Sequence, residues 1–257
     1  MINLGLNRKI SNVLSKNLND PESDIYKEIS SIAGETTESD SDIIKVVENG
    51  KDTIIRFYDS ELTEIIENAF DDFYNLEELY LPNVTRIRRY ESTYDYFSYP
   101  QTLRICLNCS KLKKLMIPKA ANSMECIWLD DMIANLPIKI MALKGNIENG
   151  GMFDSYPIFN SLETLILTTC SSIGYSGLDT DKFPNLNNLI LLNKETYVHH
   201  AAWGTSTSFL SVYNNIYVPD TMVDIYISNG LAESYIKPLN QLPDNLKKEL
   251  ELCGIEI

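Results

Sequence analysis

The chain is poor in the residues that most enzyme chemistry uses. It has two histidines in 257 residues, and they are neighbours, His199 and His200. Adjacent side chains leave a regular element on different sides, so this pair reads as part of an exposed loop anchored by Trp203 and not as a metal site. Basic residues are also scarce, with 22 Lys and Arg against 36 Asp and Glu for a net charge of −14. That balance, without a basic patch carrying interleaved aromatics, excludes a nucleic-acid backbone or an anionic membrane surface as the main partner. No apolar run approaches the roughly 20 residues that span a bilayer. The start, Met1 to Lys9, has no uninterrupted apolar stretch after a basic beginning, so no secretion signal is expected. The cysteines, Cys106, Cys109, Cys126, Cys170 and Cys253, are odd in number and irregular in spacing, which argues for reduced thiols over a disulfide framework. Nucleophile-elbow, zinc-protease and phosphate-cradling glycine motifs are missing from the sequence. The acidic pairs Asp71-Asp72, Glu77-Glu78 and Asp130-Asp131 read as solvated surface, because neighbours in sequence rarely face one cleft as acid and base. The sequence therefore predicts a non-enzymatic protein with no cofactor and no metal.

What the chain does have is a repeat. The spacing L-x-x-L-x-L of Leu76, Leu79 and Leu81 returns at Leu112/Leu115/Ile117, Ile138/Met141/Leu143, Leu162/Leu165/Leu167, Leu186/Leu189/Leu191 and Tyr213/Ile216/Val218, with a weaker copy at Ile55/Phe57. The seven end points, 57, 81, 117, 143, 167, 191 and 218, are separated by 24, 36, 26, 24, 24 and 27 residues. All but one step fall within the 20 to 29 residues of leucine-rich repeats. A second register stands eight residues before the end points, at Phe73, Cys109, Asn135, Phe159, Phe183 and Leu210. A third stands eleven before, at Phe70, Cys106, Met132, Tyr156, Thr180 and Thr207. The alternating pair near each end point predicts a short strand, and the upstream aromatic or Cys predicts a returning arm that completes the same core layer. Cys106-x-x-Cys109 falls on these core positions, so it reads as packing and not as half a zinc or redox site. One turn cannot bury its own layer, so neighbours must stack and the ends need caps.

Residues 66–87, I-E-N-A-F-D-D-F-Y-N-L-E-E-L-Y-L-P-N-V-T-R-I, resemble one full BspA-like leucine-rich repeat, I-x-x-x-A-F-x-x-C-x-x-L-x-x-I-x-L-P-x-x-V-x-x-I. Other turns are degenerate, keeping the Cys at Cys109 and the strand-ending proline at Pro118, and the likeness runs from about residue 53 to 219. The segment 215–226 with Ile236-Lys237-Pro238-Leu239 is similar to the closing segment of such proteins from bacteriophages and prophages of gut bacteria. The resemblance implies an irregular leucine-rich repeat of the α/β class, a solenoid with a short-stranded parallel sheet and helical caps at both ends. It also implies a binding or structural role in a virion, in the tail, baseplate or head decoration, serving assembly or host-surface adhesion. A bacterial cell-surface adhesin is the alternative, and a virion-associated polysaccharide hydrolase a further one. The family's bacterial members commonly carry a signal peptide, which this chain does not show.

The organisation expected is a helical cap or attachment segment over 1–48, repeats over 49–218, and a helical cap over 219–257. In the last segment one helix is predicted through Met222, Val223 and Tyr226. A second follows Pro243-Asp244, with Leu246, Leu250 and Leu252 on one face. Two surfaces are candidates for binding. The first is the insertion 88–101 that lengthens the 36-residue step; it holds Tyr90, Tyr94, Tyr96, Phe97 and Tyr99, and tyrosine gives recognition loops large contact area at low entropy cost. The second is the row facing away from the core, Arg56, Tyr80, Met116, Ala142, Ile166, Ile190 and Tyr217, which is mostly apolar where solvent would favour polar residues. Something should cover it: a protein partner, a sister subunit in a homo-oligomer, or residues 1–48. The partner class expected is protein, or a host surface protein or glycan.

Overall fold

The structure is a computed structural model; it describes residues 54–58, 60, 63–66, 70, 73–88, 102–103, 105–106, 108–120, 128–129, 131–144, 158–169, 172–173, 183–192, 197–198, 215–228 and 233–257. The expected attachment segment 1–48, the tyrosines and phenylalanine of the 88–101 insertion, and the His199-His200 loop lie outside the described residues.

The seven strands predicted at the repeat end points form, within a set of fourteen among the described residues. In chain order they are β1 (Ile54–Arg56), β2 (Glu64–Ile66), β3 (Glu78–Tyr80), β4 (Arg86–Arg88), β5 (Thr102–Leu103), β6 (Lys114–Ile117), β7 (Trp128–Leu129), β8 (Ile140–Leu143), β9 (Thr164–Leu167), β10 (Ser172–Ile173), β11 (Asn188–Leu191), β12 (Tyr197–Val198), β13 (Asn215–Val218) and β14 (Ile236–Pro238). Eight of them make one parallel sheet in the order β1-β3-β6-β8-β9-β11-β13-β14. Its register aligns the middle apolar residue of every repeat: Ile55, Leu79, Leu115, Met141, Leu165, Leu189 and Ile216 are successive partners, and Ile236 extends the series. The chain is a parallel-sheet repeat solenoid, with few helices among the described residues. Three two-stranded parallel ladders, β2-β4, β5-β7 and β10-β12, lie on the other arms.

The repeat residues form these elements for a simple reason. A strand turns successive side chains to opposite faces, so an apolar residue at every second position puts one row on each side. Leu79 and Leu81, Leu165 and Leu167, and Leu189 and Leu191 point inward to one continuous core. The upstream register closes that core with aromatic rings, Phe57 against Phe70 at 6.5 Å and Phe159 stacked on Phe183 at 5.4 Å. Four arms re-enter their strands through the same tight turn, in which the first leucine donates its amide to the core residue three before it: Leu76 to Phe73, Leu112 to Cys109, Leu162 to Phe159 and Leu186 to Phe183. Cys109 sits in an aromatic's place, buried, its Sγ 3.1 Å from the Phe70 carbonyl.

The fourth turn departs from the expected register. Asn135 is exposed, and Ile133 and Leu136 fill the layer in its stead, with the tight-turn bond running from Leu136 to Ile133. In the expected register Pro137 would take the third position of the tight turn, where proline is disfavoured, so the turn closes two residues earlier, at the end of a short helix α1 (Asp131–Ala134).

The C-terminal segment departs further. A 3-10 turn (Asp220–Met222) and helix α2 (Val223–Ser228) follow β13 as expected, but the chain then returns as β14, an eighth strand of the sheet. Pro238, which cannot donate to a ladder, is tolerated there because β14 lies at the end of the sheet order. A second 3-10 turn (Leu239–Gln241) leads to helix α3 (Asp244–Leu252). Helix α3 does not close the solenoid's end; it lies across the outer face of the sheet. Among the described residues, no helix is long and apolar enough to cross a membrane.

Candidate functional site

The outward row has the membership that strand alternation predicts, since Tyr80, Met116, Ala142, Ile166, Ile190 and Tyr217 are register partners across β3 to β13. Its cover corrects the sequence reading. Leu242, Leu246, Leu250 and Cys253 pack onto this row in an apolar cluster of their own, separated from the inner core by the sheet. The row is occupied by the chain's own C-terminus, so Tyr80, Met116, Ile166, Ile190 and Tyr217 are buried and offer no free surface.

At one end of the row the cover is polar. Glu249 lies on the apolar stripe of α3 and is 8% exposed. It accepts a hydrogen bond from the Tyr80 hydroxyl at 2.6 Å and an ion-paired one from Lys114 Nζ at 2.6 Å. Glu78 completes the group, 2.9 Å from Lys114 and 3.1 Å from the Tyr80 hydroxyl. Arg56 joins from β1, its guanidinium 3.4 Å from Glu78 and 4.9 Å from the centre of the Tyr80 ring. Two strand residues thus bind the helical carboxylate directly, with Glu78 and Arg56 behind them, and a buried charge needs such partners. A carboxylate inside an apolar helical stripe was the sequence signal for this contact.

The network fixes protonation. Burial, with the Glu249 hydrogen bond second, holds the Tyr80 phenol above its usual range. For Lys114, burial alone would lower the ammonium, but the bonds to Glu249 and Glu78 outweigh it and the pKa is raised. Burial, then Glu249, pushes the Cys253 thiol up to about 12. In each case the folded chain holds its proton more tightly than the unfolded chain. Stability is therefore complete below the ordinary pKa and is lost as pH rises, beginning near the ordinary thiol value of 9.0. The loss has a limiting slope of about 1.4 kcal/mol per pH unit for each such group. The thermal midpoint is expected to fall as pH rises from about 9 to about 12, and Tyr80→Phe should make the part of that fall above the ordinary phenol value of 10.0 shallower. A midpoint flat over this range would contradict the buried network.

Beside α3 runs a groove of about 1340 Å³. One wall is built from the residues that follow successive strands: Pro118 and Lys119 after β6, Lys144 after β8, Thr168 after β9, Leu192 after β11, Asp220 after β13 and Asn240 after β14. The other wall is α3 and the residues after it, with Lys247, Glu251 and Ile255. Six strands at a spacing of about 4.8 Å give a length of roughly 24 Å. The wall is tied across strands, because the Thr168 hydroxyl donates to the Pro118 carbonyl and Asp220 accepts both the backbone amide and the side-chain amide of Asn240.

Neither a family model nor a curated protein matches this sequence. The groove is thus read on its own chemistry. It mixes three lysines, three carboxylates (Asp220, Glu251, Glu256), threonine hydroxyls and aliphatic side chains. Among the described residues, no group of three or more His, Cys, Asp and Glu is placed to hold a metal ion. Sequence reasoning missed the groove because its wall residues stand just past the strands, where no apolar period marks them.

Proposed function

We propose that the chain is a non-enzymatic binding protein, a BspA-like leucine-rich repeat scaffold that holds an extended ligand along the strand-end groove. The observation that carries this reading is the groove's construction: equivalent positions of six consecutive strands line it, so a ligand made of repeated units meets a repeated wall. A host-surface glycan or an extended segment of a surface protein has that form. The leucine-rich repeat reading is supported by residues 66–87, where the pattern positions Phe70, Leu76, Leu79, Leu81 and Val84 are all buried. The likeness of the closing segment to phage and prophage proteins supports a virion as the setting, with the bacterial surface as the alternative. Assembly through a sister subunit then falls to residues 1–48, because α3 occupies the apolar row.

The test is binding of the full chain to arrayed bacterial surface polysaccharides and extended peptides, compared with Thr169→Trp, which fills the groove. Saturable binding that Thr169→Trp weakens at least tenfold is the expected result. Binding indifferent to Thr169→Trp, or no binding, overturns the groove reading. Release of new reducing ends from a bound polysaccharide would make the protein a hydrolase.

A further inference from the structure

The cover of the outer face is held differently from the rest of the fold. Every strand of the sheet is bonded to its neighbours through the backbone. The backbone hydrogen bonds of residues 242–255, by contrast, close within residues 239–255: Leu242 to Leu239, Lys247 to Pro243, Cys253 to Leu250 and Ile255 to Leu250. What joins this segment to the sheet is side chains, the leucines of the outer cluster and the single carboxylate of Glu249. The inner core shares no residue with that cluster.

We infer that residues 242–255 form a strap that opens as a unit from a solenoid that stays folded, latched by Glu249 on Tyr80 and Lys114. Several facts converge on this. Cooperative units follow contiguous packing, and the strap has a cluster to itself. Its latch gives way from either side, because removing one partner leaves the other buried group uncompensated in the closed form, whereas in the open form water takes over its hydrogen bonds. Pro238 and Pro243 bracket the hinge, restricting the chain to extended conformations on either side of a single 3-10 turn.

The strap has a second consequence for the groove. One face of α3 presents Leu246, Glu249 and Leu250 to the sheet, and the adjacent face gives Lys247 and Glu251 to the groove. Opening removes that wall. A ligand touching both walls binds the closed form alone, and by reciprocity its binding holds the strap shut; this coupling rests on the groove being a binding site, whereas the strap itself does not.

Native-state hydrogen exchange on the full chain tests it, comparing amides of α3 with those of β9 and β11. In the wild type, α3 amides are expected to exchange at least tenfold faster than the strand amides. Glu249→Gln should speed α3 exchange a further tenfold while leaving β9 and β11 unchanged, and Lys114→Met should do the same from the opposite side of the latch. Exchange of α3 in step with the strands, in the wild type and both variants, overturns the inference. Thr169→Trp leaves the latch intact, so a groove that binds nothing does not alter this readout.

Discussion

Ile166→Glu is expected to eject α3 from the sheet while the solenoid remains folded. Ile166 is in the middle of the outward row, fully buried beneath the outer cluster, with Ala142 and Ile190 as its register partners. A carboxylate there would lie under Leu246 and Leu250 without a cation, a burial costing several kcal/mol. The chain has a cheaper response. Once the strap lifts, the new carboxylate is hydrated on a strand surface, so the loss is limited to the free energy of docking the strap. Limited proteolysis read by mass spectrometry distinguishes the outcomes. Cleavage should appear between residues 239 and 255 at least ten times faster than in the wild type, with the strands still protected. The control is Ile158→Glu, at a position 50% exposed, which should stay within about 0.5 kcal/mol of the wild type. Proteolysis of α3 at the wild-type rate in Ile166→Glu would show that the outer cluster does not hold the helix.

This result would also separate what the sequence reveals from what it hides. The period of two makes the outward row legible: a strand written N-L-I-L, as in β11, must send Ile190 away from the side that takes Leu189 and Leu191. That the row needs a cover follows from its apolar character. Which segment supplies the cover does not, because a nine-residue amphipathic helix has the same pattern whether it closes an end or lies on a face. Only Glu249, a charge between Leu246 and Leu250, marks α3 as meeting a polar partner, and naming Tyr80 and Lys114 as that partner needs the fold. The strand β14 escaped because three residues ending in proline carry too little alternation to be recognised. The fourth turn escaped because Pro137 shifts its closure by two residues. The groove is the least legible feature, since its wall consists of residues whose only common property is their place just beyond a strand.

Phe183→Ala is expected to produce the largest loss of global stability. Phe183 is fully buried and stacks on Phe159 with ring centres 5.4 Å apart and planes inclined by 17°. Truncation removes one ring of the pair and leaves a cavity the layer cannot close, because Leu186 and Leu189 are fixed by the tight turn and the strand ladder. Such truncations cost about 3 to 5 kcal/mol. For a chain of this size that lowers the thermal midpoint by roughly 10 °C. In a solenoid the loss is shared with the adjacent turns, since each layer is stable only through its neighbours. Exchange protection should therefore fall in β9, β11 and β13 together. The contrast with Ile166→Glu is the decisive feature: that residue, in β9 and in the cluster on the outer face of the sheet, should free α3 and spare the strands. Loss of strand protection in both variants would mean that the sheet transmits damage from its outer face to its inner core, and the two clusters would then behave as one.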